Sequence, residues 1–225
     1  GLVGSEMCIR DRQRTLFGFV GYREMDGQAI YTLMTKNVPN STIHGVELEF
    51  DWTPYEAGRL FGWVSMLDTE NGGSSSAEAT QDGYLCMERA LIGADPCNPD
   101  GTIDLSGKHL TWSPELSWNL QFEHNTYTGN GFRIMNIINV NYTGEMFYNE
   151  SNYDNEPFHS GRDDLHTVNT SMVFINEANA WGLEFYIHNA TDELIKTDSY
   201  PANAGYVKAM YAPPMAYGVR FQKDF

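Results

Sequence analysis

The chain has no apolar run approaching the roughly 18–20 residues that a membrane-spanning helix needs. That excludes a helical membrane protein but leaves barrels open, because barrel strands alternate and average to an ordinary hydropathy. It is short of positive charge, with 14 Lys and Arg against 30 Asp and Glu among 225 residues, a formal net charge of −16. A surface of that sign repels phosphate backbones, so nucleic acid is excluded as a partner. No G-x-S-x-G elbow, H-E-x-x-H helix or glycine-rich phosphate loop occurs, so no catalytic residue, cofactor or metal site is assigned and the chain is read as a non-enzyme. Cysteine is scarce, with three in the chain.

The first twelve residues stand apart. Gly1 to Arg12, GLVGSEMCIRDR, resembles translated sequencing-adapter read-through, and it lacks the apolar stretch and small-residue cleavage site of a signal peptide. It is set aside, Cys8 with it, and the true N-terminus is expected upstream. Cys86 and Cys97 remain, both in one Gly/Ser/Asp-rich stretch. Two cysteines closing a short loop read as a candidate disulfide of an oxidising compartment, the alternative being two unrelated thiols or a metal site short of ligands.

What is present is aromatic residue, 13% of the chain, arranged with period two. In Val46-Glu47-Leu48-Glu49-Phe50-Asp51-Trp52 every second residue is large and apolar and every intervening one acidic. Leu116, Trp118, Leu120 and Phe122 alternate with Ser117, Asn119, Gln121 and Glu123; Trp181, Leu183, Phe185 and Ile187 alternate with Gly182, Glu184, Tyr186 and His188. Tyr217, Val219, Phe221 and Phe225 are set against Gly218, Arg220, Gln222 and Asp224. Alternation places the two sets on opposite faces of a sheet. With weaker segments at Leu16–Arg23, Leu60–Leu67, Ile134–Tyr142 and Val168–Ile175, about eight strands are expected.

The connections carry more information than the strands. Thr53 to Gly58, Tyr127 to Gly131 and Asn176 to Asn179 are short and rich in turn formers, whereas Met25 to Asn40, Asp68 to about Trp112, Asn149 to His166 and Asn189 to Ala216 are long. Short and long alternate. In an antiparallel meander all short turns then fall at one end and all long loops at the other, the pattern of outer-membrane barrels with short periplasmic turns. The fold expected is all-β, an antiparallel up-and-down meander within a transmembrane barrel. A soluble β-sandwich that binds carbohydrate also alternates and buries tryptophan, but has no reason to sort its loops by length. A complete eight-stranded anchor or adhesin barrel is a further alternative. On the barrel reading, Trp52, Trp181 and Phe225 form an aromatic girdle beside the short turns, and Glu47, Glu49, Asp51, Glu123 and Glu184 face the lumen. The stretch His159 to His166 holds ligand-type residues, but its spacing is unspecific and a solvated acidic loop is the plainer reading.

Four stretches resemble TonB-dependent receptors. Asn40 to Phe50, NSTIHGVELEF, is similar to a strand usually written A-x-x-x-G-V-E-L-E. Trp112-Ser113-Pro114-Glu115 through Asn119-Leu120 resembles P-E-x-S-x-N-L, His188 to Glu193 resembles x-N-L-T-D-E, and Pro213 to Phe225 resembles the closing P-R-T-Y-G-V strand with its terminal aromatic. Their order and spacing match that family from about residue 15 to residue 225. The resemblance implies that residues 13–225 are the C-terminal portion of a barrel of about 22 strands. It further implies outer-membrane lipid around the barrel, a plug domain and TonB engaged through a missing N-terminal part, and a small-molecule or metal-chelate ligand of siderophore, cobalamin or glycan class. Lys223 departs from the pattern, standing where the closing strand usually carries an apolar residue; its stem would snorkel to the interface.

Overall fold

A computed structural model describes residues 2–22, 29–72, 76–78, 95–99, 102–129, 131–154, 159–202 and 206–223. Eight strands form one sheet: β1 (Leu2–Tyr22), β2 (Ala29–Tyr55), β3 (Gly58–Glu70), β6 (Leu116–Tyr127), β7 (Phe132–Thr143), β10 (Leu165–Asn176), β11 (Trp181–His188) and β14 (Ala216–Lys223). Their spatial order is their chain order, and every pairing is antiparallel. Among the described residues this sheet has no crossover, the other sheets are two-stranded, and β1 and β14 are its two edges and do not pair. The remaining strands are short hairpins inside the long connections: β4 (Ser76–Glu78) with β5 (Thr102–Asp104), β8 (Met146–Phe147) with β9 (Gly161–Arg162), and β12 (Lys196–Ala202) with β13 (Tyr206–Tyr211).

After the first, the connections sort as the sequence implies. β2 passes to β3 through Glu56 and Ala57, and a register shift between Trp52 and Tyr55 absorbs Thr53 and Pro54. Pro54 has no N–H to give the ladder, and a bulge is where a strand tolerates that. β10 passes to β11 through Glu177–Ala180, with Ala180 left-handed at φ 49°. The long connections lie at the opposite end, and Lys223 pairs with Trp181 beside a short turn, so β14 ends on the short-turn side. One expectation needs correction. Met25 to Asn40 was expected to be a loop, but β2 starts at Ala29 and pairs back onto β1, from Tyr22 opposite Ala29 to Gln13 opposite Val38. Cross-strand pairing satisfies those backbone groups, so the hairpin extends past the sheet's other strands instead of opening into a loop.

Register assigns the faces. Trp118, Tyr142 and His166 lie opposite one another, then Leu120, Val140 and Val168, then Phe122, Ile138 and Thr170, the last row running on to Ile187 and Tyr217. Val46, Leu48, Phe50, Leu116, Leu183, Phe185, Val219 and Phe221 share that face. The intervening rows are polar: Asn119, Asn141 and Thr167, then Gln121, Asn139 and Asn169. The apolar face is not covered. Leu48, Ile138, Phe185, Val219 and Phe221 are exposed, Phe221 by 62%. Among the described residues the buried hydrophobic ones, Ile103, Leu105, Leu110, Tyr148 and Tyr153, all lie in the long connections. A soluble sheet protein does the reverse, packing its apolar face against a second layer.

Among the described glycines of the sheet, Gly62 marks the tightest approach to a neighbouring backbone. A Cβ there would fall inside contact distance of the Asn119 carbonyl and 3.2 Å from the Leu120 Cα, both backbone atoms of β6 that cannot swing away. Gly62→Val should therefore cost about 1–3 kcal/mol through overpacking. Gly182→Ala, whose Cβ would meet only the Phe174 carbonyl at 3.9 Å, should stay within about 0.5 kcal/mol. Urea midpoints of the two variants in detergent check this; equal midpoints would contradict the packing at Gly62.

Candidate functional site

Two regions carry the chemistry: the polar face of the sheet and the crown of long loops. On the polar face a chain of side-chain hydrogen bonds crosses β6 and β7. Asn119 Nδ2 donates to Asn141 Oδ1 (2.5 Å), Asn141 Nδ2 to Asn139 Oδ1 (2.7 Å), Asn139 Nδ2 to Gln121 Oε1 (3.3 Å) and Gln121 Nε2 to Glu123 Oε1 (2.8 Å). Ion pairs complete it: Arg59 grips Asp51 through two nitrogens at 3.0 and 2.6 Å, Arg220 meets Glu184 at 2.9 Å, and Arg133 meets Glu177 at 3.4 Å. Ser65 Oγ donates to Glu47 at 3.4 Å. All five acidic residues singled out in the sequence, Glu47, Glu49, Asp51, Glu123 and Glu184, lie on this face, and three of them are met by an arginine or a serine.

The same face holds a concavity of about 460 Å3 lined by Glu49, Asp51, Phe61, Trp63 and Asn119. The Arg59 guanidinium lies over the Phe61 ring, 4.4 Å from its centre. Sequence reasoning missed the Phe61 and Trp63 pair. β3 is apolar on both faces, Leu60, Val64 and Met66 on one and Phe61 and Trp63 on the other, so alternation gave no signal there.

The turn end of the apolar face gathers aromatic rings. Phe132 sits edge-on to Trp181 at 5.8 Å, and Phe221 lies 6.2 Å from Trp181. Trp52, 59% exposed, is on the same face near the β2–β3 turn, while Phe225 lies outside the described residues. A second aromatic row, not foreseen, crosses the loop end: Trp118 stacks on Tyr142 (5.8 Å) and Tyr142 contacts His166 (4.7 Å). Phe132 and Tyr142 are about ten residues apart on β7, roughly 33 Å along the strand. Tilted by about 40°, that length covers a band close to the ~25 Å apolar belt of outer-membrane barrels.

The three long connections are fastened to each other. Trp112 N donates to the Phe147 carbonyl at 2.9 Å, Asn152 Nδ2 to the His109 carbonyl at 3.2 Å, and the Trp112 and Tyr148 rings meet at 4.7 Å. Tyr148 Oη then donates to the Lys196 carbonyl at 2.5 Å, and Lys196 Nζ to the His159 carbonyl at 2.7 Å. Burial pushes the Tyr148 phenol above its ordinary value and the Arg162 guanidinium below its own. Within the first connection Ile103 and Leu105 form a small core against Cys97. Cys97 is disulfide-bonded; Cys86 lies outside the described residues. Among the described residues the long connections thus form a packed layer.

No protein-family model matches this chain, and no curated protein does. Solved structures do. The chain is similar to the ferric yersiniabactin uptake receptor FyuA from Yersinia pestis, with TM-score 0.64 and 17% identity over 85% of this chain and 25% of that one. It is also similar to the siderophore receptor PiuA from Acinetobacter baumannii (TM-score 0.60, 13% identity, 98% of this chain and 25% of that one). BauA, the ferric preacinetobactin receptor from the same species, matches with TM-score 0.55 and 14% identity over 94% of this chain and 26% of that one. The chain spans about a quarter of the length of each. What is shared at these identities is the fold, an all-β antiparallel meander.

Proposed function

We propose that residues 13–225 are the C-terminal part of the membrane-spanning barrel of a TonB-dependent outer-membrane receptor, and that the whole protein imports a chelated ligand of ferric-siderophore type. The observation that carries this reading is the inverted burial: the sheet exposes its apolar face while the apolar core sits in the loops. Lipid is the partner that such a face needs, and a patch of this extent is rare on soluble monomers. The open meander, its sorted connections and its likeness to three receptor chains support the same reading. They weigh against a sandwich, which needs two sheets, and against a complete eight-stranded barrel, which needs β1 to pair with β14.

On this reading Trp52, Trp181 and Phe225 join the periplasmic girdle, and Trp118, Tyr142 and His166 mark the outer interface. Glu47, Glu49, Asp51, Glu123 and Glu184 line the lumen, where water and a plug domain solvate them. Phe61 and Trp63 offer the plug an apolar foothold. The fastened loops stand outside the cell, where Cys97 is oxidised with Cys86 as its partner. TonB acts through the rest of the chain. Gly1–Arg12 is foreign to the barrel: a free edge beside Ser41–Phe50 captures the nearest backbone, and the shift in register between Asp11 and Gln13 falls at the junction.

The test is uptake. Iron-starved cells lacking the complete gene should fail to accumulate one radiolabelled ferric siderophore from a panel, and cells lacking TonB should fail likewise. Unimpaired uptake of every ferric siderophore, with loss of cobalamin or glycan uptake instead, would refute the ligand class. Unimpaired uptake of all three classes would refute the receptor reading.

A further inference from the structure

The connection between β7 and β10 brings together three residues that are far from adjacent in sequence. Met146 and Phe147 pair with Arg162 and Gly161, which sets Glu145 beside the returning strand. Beyond that two-residue ladder the hairpin is held by Tyr148 N to the Ser160 carbonyl, Ser160 N to the Tyr153 carbonyl, both at 2.8 Å, and Tyr153 N to Ser160 Oγ at 2.8 Å. Tyr153 and Ser160 are the immediate neighbours of Asp154 and His159, so these bonds place the carboxylate and the imidazole side by side. One ligand-type atom from each of Glu145, Asp154 and His159 lies within 4.8 Å of the others.

The three differ in setting in a way that suits a metal ion. His159 is buried, 6% exposed, with its ring against the edge of Phe147 at 6.0 Å and its carbonyl held by Lys196 Nζ. Glu145 and Asp154 are exposed, and both line an open cavity of about 460 Å3 that also reaches His109 and Glu115. A buried imidazole with two exposed carboxylates at the wall of an open cavity gives a cation one enclosed ligand, two accessible ones and an entry path. Two carboxylates held this close repel one another unless a cation lies between them.

We propose that Glu145, Asp154 and His159 form a divalent transition-metal site that clasps the base of this loop. One imidazole nitrogen and two carboxylate oxygens fit the borderline preference of Zn2+ and its first-row neighbours, whereas Ca2+ and Mg2+ favour oxygen alone. Three protein ligands leave one position for water. The sequence did not disclose the site, because Glu145 and Asp154 lie outside the His159–His166 stretch and the hairpin that unites them is two residues long. It stands apart from the barrel's cargo, since no part of it depends on what is transported.

The test uses the complete chain carrying this segment, purified in detergent, stripped with chelator and titrated with ZnCl2 by calorimetry. Glu145→Gln with Asp154→Asn should remove one Zn2+ equivalent, or weaken it at least about tenfold. His159→Ala should do the same, and Asp163→Asn with Asp164→Asn should leave the isotherm unchanged. CaCl2 should bind this position at least about tenfold more weakly than ZnCl2. Isotherms identical for the parent and the Glu145/Asp154 variant overturn the site, as does equal loss in the Asp163/Asp164 variant. The two carboxylates are exposed, so their variant reports on the site even where His159→Ala fails to fold.

Discussion

Residues 13–225 expressed alone will not give a stable monomer in a bilayer. Without Leu2–Asp11 the Ser41–Phe50 part of β2 loses its partner, and β14 pairs on one side only, so the outer N–H and C=O groups of those two edges face whatever surrounds them. Water would satisfy those groups, but hydrocarbon cannot, and each unsatisfied group costs several kcal/mol there. An edge as long as a spanning strand carries enough such groups to exceed the roughly 5–15 kcal/mol by which domains are stable. Exposed edges also template aggregation. The expected outcome of refolding into lipid vesicles is an aggregated, protease-sensitive product without ligand uptake. Expressed within the complete frame, the same residues should give a heat-resistant band in detergent electrophoresis. A closed, protease-resistant barrel from residues 13–225 alone would show that the two free edges pair, and would favour the small anchor or adhesin over the receptor.

Charge placed on the apolar face will destabilise the complete barrel, while charge on the polar face will change its stability little. Ile138 lies midway between the two aromatic rows, opposite Phe122 and Thr170, and is 47% exposed. If lipid covers it, Ile138→Arg puts a guanidinium near the bilayer midplane at a cost of about 2–4 kcal/mol. Ser171 lies on the opposite face, in line with Ile137 and Tyr186. Ser171→Arg points into a wet lumen and should cost less than about 1 kcal/mol. Urea unfolding of the two variants in phospholipid vesicles reads the difference. A soluble protein with a solvent-exposed apolar face would be indifferent to the first change or improved by it, so equal stabilities would defeat the membrane assignment.

The strands were legible in the sequence because the physics that makes them is periodic. Glu47 and Glu49 between Val46, Leu48 and Phe50 admit one backbone form, and register then follows from keeping apolar rows together. The order of the sheet was legible through the turns. Two-residue and four-residue connections leave antiparallel neighbours little choice. The loop crown was not legible. Ile103, Leu105, Leu110, Tyr148 and Tyr153 are spread through Gly-, Asn- and Ser-rich segments without a period, and contacts such as Trp112 on Tyr148 form only because the sheet delivers the loops to one place. The outer aromatic row escaped for a related reason, since Trp118, Tyr142 and His166 come from three strands and become neighbours only through register. Phe61 and Trp63 were hidden by a strand that is apolar on both sides. The extension of β2 down to Ala29 was missed because residues 29–40 alternate poorly; their order comes from pairing with β1, not from a face to bury.

Because each strand of the sheet is bonded to the one synthesised just before it, assembly needs no long-range search. A sheet of this connectivity can lengthen one hairpin at a time, each new strand docking on the edge left by its predecessor. The long loops hinder this little, since closing a loop twice as long adds only about 0.6 kcal/mol of entropy. Non-local pairing is what slows most β proteins, and on the proposed barrel reading it is deferred to the final closure of the cylinder. The rate-limiting event should therefore be the meeting of the first and last strands of the complete barrel, and substitutions along β6, β7 and β10 should alter how firmly it holds far more than how fast it forms.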